Sequence, residues 1–114
     1  MAELMEVGDA EFDAAVMASA LPVLVDCWAP WCKPCAGMAP ALEEFARRHA
    51  GRIAVAKVDV DANTGVAKAH GVRSLPTLLL VRDGQVLGKR VGVLTAQQMA
   101  EWAEGLLGGP AGAG

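Results

Sequence analysis

Val23-Leu24-Val25-Asp26-Cys27-Trp28-Ala29-Pro30-Trp31-Cys32-Lys33-Pro34-Cys35 is the stretch whose reading decides the fold. It opens with a nearly continuous apolar run to Trp28, the pattern of a strand buried on both faces, as parallel strands of α/β proteins are. The carboxylate of Asp26 inside that run is conspicuous. From Cys32 to about Ala50 the pattern changes to a helix, with Met38, Leu42, Phe45 and Ala46 on one face and Glu43, Glu44, Arg47 and Arg48 on the other. Pro34 falls in its first turn, where a missing N–H is harmless, and Pro40 falls inside it, where a backbone bond is lost and a kink is expected. The two cysteines therefore sit where a buried strand turns into a helix.

Working outward, Leu4 to Val7 reads as a short opening strand. Asp9 is placed to cap a helix carrying Phe12, Val16 and Met17 before Pro22. Ile53 to Val60 alternates and then runs apolar as a second central strand, Asn63 to Ala69 is a short helix stopped by Gly71, and Thr77 to Val81 is a third strand. Asp83-Gly84 separates it from Val86 to Val91, which predicts an antiparallel hairpin with a type I′ turn. Thr95 and Gln98 form a capping box for a last helix through Met99, Trp102 and Leu106. The order β-α-β-α-β-α-β-β-α predicts an α/β sandwich with helices on both faces of a mixed sheet: parallel crossovers through helices first, then a hairpin edge.

Composition bounds the function. The chain has 114 residues, 54% apolar, with a net charge of −3, which suits one domain of residues 1–107 followed by a flexible Gly/Ala/Pro tail at 108–114. Scattered Lys and Arg on a mildly acidic chain lack the electrostatic footprint of a nucleic-acid or membrane-surface binder. Asp26, Asp59 and Arg82 interrupt the longest apolar runs before they reach the roughly 18 residues of a membrane span. Met1 to Val16 is acidic and carries no basic residue, the wrong pattern for a signal peptide, so a cytoplasmic protein is expected. The aromatic content is low, leaving Val, Leu, Ala and Ile to form the core.

The 3 cysteines are too few and odd in number for a secreted disulfide scaffold, so any redox chemistry must be local. Cysteines at i and i+3 face the same way on a helix, and their Cα separation there can fall in the roughly 4.4–6.8 Å that a disulfide needs. Cys32 would sit at the helix N-terminus, where unpaired N–H groups and the macrodipole favour a thiolate. That makes Cys32 the nucleophile. Cys35, one turn in and shielded, becomes the resolving thiol. Structural zinc wants about four ligands at recurring spacings, and here one C-x-x-C stands with only Cys27, His49 and His70. Neither zinc nor chance spacing explains the strand–turn–helix setting as well as redox chemistry does. Cys27, adjacent to Asp26, points to the opposite face and reads as a small buried hydrophobe rather than a regulatory thiol. Trp28 reads as a core residue flanking the site. His49 and His70 fall at helix ends, where a cation suits the dipole.

With these motifs in view, the chain resembles the thioredoxin family from about residue 4 to residue 107. The resemblance is carried by Val25 through Cys35, by Ala56-Lys57-Val58-Asp59-Val60-Asp61, by Val72-Arg73-Ser74-Leu75-Pro76-Thr77, and by Gly84 and Gly92. It implies a three-layer α/β/α sandwich with about five strands and four helices. It also implies a protein-disulfide reductase and dithiol electron carrier, a monomer with no cofactor beyond the Cys32–Cys35 pair. The implied partners are disulfide-containing proteins and a thioredoxin reductase, with no nucleic acid and no membrane. Asp26 is then the proton acceptor for Cys35, through water. The residues agree independently: a lone Asp in an apolar strand has no structural purpose, and burial should raise its pKa toward that of a useful general base. Lys57 is implied as the charge partner of Asp26, the alternative being a strand lysine snorkelling to solvent. Pro76 is implied to be a cis-proline facing the disulfide, leaving the backbone of Leu75 to pair with an extended substrate while Trp31, Gly92 and Val93 supply a flat apolar surface.

The family's usual active site has Gly where Lys33 stands, beside Pro34. A positive charge there favours the thiolate and makes the pair slightly more oxidising. An exposed charge contributes at most roughly 1 kcal/mol, about 20 mV for a two-electron couple. Established reference values for thioredoxin and the strong periplasmic oxidant lie about 150 mV apart, so Lys33 leaves the reading a reductase. The competing readings are a thiol oxidase or isomerase, and a binding module with idle thiols.

Overall fold

The apolar run before the cysteines forms β2, Val23–Trp28, at the centre of a five-stranded sheet in a computed structural model that describes residues 4–108. The strands β1 (Leu4–Glu6), β3 (Ala54–Asp59), β4 (Thr77–Arg82) and β5 (Gln85–Val91) complete it in the order β1-β3-β2-β4-β5. Being central, β2 hydrogen-bonds on both sides and is covered on both faces, which is why its residues are apolar without alternation. The helices are α1 (Lys33–Arg48), α2 (Thr64–Ala69), α3 (Ala96–Leu106) and a π-helical segment, Asp13–Met17.

Strand parity divides the core. Leu24, Val55, Leu78 and Leu80 meet Met38, Leu42 and Phe45 of α1 and Met99 of α3 on one face. Val23, Val25, Ala56, Val58, Leu79 and Val81 meet Phe12, Val16 and Val66 on the other. The result is the expected three-layer mixed α/β sandwich. No helix among the described residues is long and apolar enough to cross a membrane.

Two expectations are corrected. The first is the direction of β4. β1 and β2 are both parallel to β3, but β4 already runs antiparallel to β2, before the hairpin. The reason is length. The six residues of α2 rise only about 9 Å, roughly half the length of the strand a crossover must retrace. The chain therefore stays at one end of the sheet and returns with Thr77 opposite Cys27. The second is the role of Asp9. Residues 13–17 are a π-helical segment with Ala18 N–H donating to the Asp13 carbonyl, and no side chain caps it. Asp9 instead accepts from the N–H groups of Gly65 and Val66, both at 2.9 Å, and so caps α2 from a distance of more than fifty residues in sequence.

The local signals held. Asp83 and Gly84 have φ of 53° and 75°, the left-handed pair a type I′ turn requires, between Arg82 and Gln85. The reciprocal Thr95–Gln98 capping box opens α3. His49 and His70 are the C-caps of α1 and α2. His49 is buried, donates from Nδ1 to the Phe45 carbonyl at 2.9 Å and stacks on the Phe45 ring. The tail expected at 108–114 lies, beyond Gly108, outside the described residues.

Candidate active site

The turn after β2 delivers Cys32 as the N-cap of α1, with extended backbone (φ −84°, ψ 101°). Its Sγ accepts a hydrogen bond from the Cys35 N–H at 3.2 Å, taking the place that a Ser or Asp oxygen holds at most helix starts. Pro34 sits in the first turn, where its missing N–H leaves nothing unsatisfied. Cys32 and Cys35 form a disulfide with Cα atoms 5.3 Å apart. The expected contrast between an exposed and a shielded sulfur does not show as exposure, since the residues are 4% and 5% exposed. What differs is the donor: the helix N-terminus points an N–H at Cys32, and that donor and the macrodipole would both favour a thiolate there.

Asp26, Trp28 and Lys57 share one sheet face. Asp26 and Trp28 are two apart on β2, and Lys57 is the register partner of Asp26 on β3. That face lies under the start of α1, where these residues with Cys32, Cys35, Ala29, Pro30, Ala36 and Ala39 line a cavity of about 220 Å³. At roughly 30 Å³ per water molecule, it has room for several. Asp26 is 3% exposed and its Oδ1 has no hydrogen-bond partner. Burial pushes its carboxyl up from an ordinary 3.8 to about 6, with the Lys57 charge opposing and the Glu6 charge assisting. Among the described residues Lys57 closes no ion pair with Asp26; its Nζ stands over the Trp28 ring, 4.8 Å from the centroid. Cys27, on the opposite face, is fully buried in the core, and burial with the nearby Asp26 charge pushes its thiol up to about 12.

The return of β4 brings the loop before it, residues 70–76, to the cysteines. Leu75 packs against Ala29, Cys32 and Cys35, and the Leu75–Pro76 bond is cis. The Pro76 carbonyl accepts from Gly92 N–H at 2.9 Å, tying the loop after β5 to the same rim. The backbone N–H and C=O of Leu75 enter no hydrogen bond among the described residues. Trp31 is 67% exposed and Val93 54%, while Lys33 and Pro34 are exposed beside them.

Two residues at this rim were not singled out from sequence. Asp61 accepts from the Trp31 Nε1–H at 2.8 Å and so fixes an indole that has little else to hold it. Val91, 56% exposed, extends the apolar surface next to Gly92 and Val93. Asp61 closes the Ala56–Asp61 motif, but only folding shows which donor its carboxylate reaches. Among the described residues, no group of three or more His, Cys, Asp or Glu side chains is placed to hold a metal ion.

The family model described as Thioredoxin matches residues 3–105. The chain is similar to the thioredoxin of Haemophilus influenzae, 44% identical over 102 residues that cover 90% of this chain and 95% of that protein. It is similar also to thioredoxin 1 of Synechococcus elongatus, 44% identical over 94 residues (82% of this chain, 88% of the other). The thioredoxin of Rhodospirillum rubrum is 41% identical over 101 residues, 89% of this chain and 97% of its own.

Proposed function

Because the chain belongs to the thioredoxin family of protein-disulfide oxidoreductases, we propose that its dithiol exchange chemistry is divided among Cys32, Cys35 and Asp26 as follows. In the reduced protein the Cys32 thiolate attacks one sulfur of a target disulfide. The target's other sulfur leaves as a thiolate, and a mixed disulfide forms between Cys32 and the target. Cys35 gives its proton, through water in the cavity, to the Asp26 carboxylate. The Cys35 thiolate then attacks Cys32 Sγ, forming the Cys32–Cys35 disulfide and releasing the target's second sulfur. The target gains two electrons and the pair loses them. The observation that carries this reading is the continuity of one path: a sulfur held as a helix cap, its partner 5.3 Å away by Cα, and a cavity from that partner to a buried carboxylate. A carboxyl group near 6 is mostly ionised at neutral pH yet basic enough to take a thiol proton.

Substrate recognition is assigned to Trp31, Leu75, Pro76, Gly92 and Val93. An extended segment of the target pairs with the Leu75 backbone while its side chains lie on the exposed apolar rim. Lys57 tunes Asp26, and Lys33 favours the Cys32 thiolate. The redox equivalent is the cysteine pair itself. A thioredoxin reductase re-reduces it, in the cytoplasm, where thiols are kept reduced, and the protein acts as a monomer.

The test is reduction of insulin disulfides coupled to a purified NADPH-dependent reductase. Wild type turns over, and Cys35→Ser accumulates a mixed disulfide through Cys32. No turnover by wild type, or a trap that forms equally well through Cys35 in Cys32→Ser, overturns the division of roles.

A further inference from the structure

The ammonium of Lys57 has three places to go: bulk water, the Asp26 carboxylate or an aromatic face. It takes the third, 4.8 Å from the Trp28 centroid, inside the roughly 6 Å over which a cation is drawn to a ring. The placement follows from strand parity, which puts Asp26 and Trp28 on one face of β2 with Lys57 alongside on β3. All three side chains line the cavity beneath the cysteines. Among the described residues Lys57 Nζ enters no hydrogen bond and no ion pair, so the ring face is the contact that holds the lysine beside the carboxylate, whose Oδ1 is itself buried without a partner.

We propose that Trp28 is a positioning residue for Lys57: its ring face keeps the ammonium in the cavity near Asp26, and thereby sets how readily Asp26 takes a proton. The proposal rests on the reading of Asp26 as the proton acceptor and deepens it. A tight ion pair would hold Asp26 as a carboxylate too weakly basic to serve Cys35. An ammonium released to water, where it is strongly hydrated, would leave the carboxylate uncompensated. The other groups around Asp26 are few. Glu6 contributes a like charge from β1, Leu78 stands opposite on β4 without charge, and Cys35 on α1 is in the disulfide.

The test is a double-mutant cycle read by the ¹³C chemical shift of the Asp26 carboxyl against pH in the oxidised protein, where neither Cys32 nor Cys35 titrates. Trp28→Leu is expected to raise the Asp26 midpoint by about half a pH unit more when Lys57 is present than in the Lys57→Met background, roughly a threefold change in proton affinity. Trp28→Phe, which keeps a ring face, recovers most of the difference. Equal shifts in the two backgrounds, or a larger rise without Lys57, overturn the proposal and leave Trp28 acting by packing alone. Should Trp28→Leu fail to fold, fluorinated tryptophans placed at Trp28 weaken the ring's attraction for a cation without changing its shape. The midpoint then climbs with each added fluorine if the proposal holds and stays still if it does not. The rate at which Cys35 resolves the mixed disulfide separates the two layers of argument. A midpoint that moves while the pH profile of resolution does not follow refutes Asp26 as acceptor and leaves the positioning intact.

Discussion

Replacing Asp26 by Asn is expected to stabilise the oxidised protein at pH 7 and to lose that advantage in acid. The carboxyl lies near 6 in the folded chain against an ordinary 3.8, a rise of about two units, and each unit is about 1.4 kcal/mol. The sign follows from proton binding. Between the two values the folded state holds a proton that the unfolded chain has released, so stability falls as pH rises through that window. Above it the whole penalty, about 3 kcal/mol, is present; by pH 4 most of it is gone. Because Asp26 is 3% exposed, solvent screening takes little from that figure. Asn removes the charge but leaves a buried amide short of partners, which costs part of the gain, so a net increase of about 1–3 kcal/mol is expected at pH 7. Urea denaturation of wild type and Asp26→Asn at intervals from pH 4 to pH 8 measures it, and the difference between the curves cancels the carboxylates the two proteins share. A variant no more stable than wild type at pH 7, or an advantage as large at pH 4 as at pH 7, would refute the reasoning.

Asp9→Ala removes the carboxylate that receives the Gly65 and Val66 N–H groups. It is expected to cost about 1–2 kcal/mol in urea denaturation and to speed hydrogen exchange at those two amides; unchanged exchange would show that the cap contributes nothing. Asp61→Ala frees the Trp31 indole and should lower kcat/KM for a peptide disulfide about 2–10-fold, the worth of one hydrogen bond, with the Cys32–Cys35 potential unmoved. Lys33→Gly takes away an exposed charge beside Cys32. It should make the pair more reducing by at most about 20 mV in equilibrium with glutathione; a change several times larger would place Lys33 closer to the sulfur's energetics than its exposure allows.

The features legible in the sequence are those whose causes are short-range. The apolar run of β2 announces its burial, Asp83-Gly84 its left-handed turn, Thr95 and Gln98 their reciprocal caps, and Cys32-Lys33-Pro34-Cys35 a helix start with a sulfur at its cap. Each is settled by neighbours within about four residues, where backbone sterics and helix-end hydrogen bonding act. Asp26 was conspicuous for the same reason, a charge among apolar neighbours on one strand.

What stayed hidden joins residues far apart in the chain. Asp9 suits the cap of the next helix as well as that of α2, and only docking of residues 4–17 against β3 and α2 decides between them. The direction of β4 depends on how far the 60–76 segment can travel, which hydrophobic period does not report. Lys57 could have snorkelled outward or closed on Asp26. It rests on Trp28 because strand pairing put the three side chains on one face of the same cavity. Sequence alone points to the groups proposed for the chemistry, since a thiol at a helix start and a carboxylate in a strand are local facts. The tertiary structure alone decided their strengths, because burial, a neighbouring charge and an aromatic face act through space, and only the folded chain sets those distances.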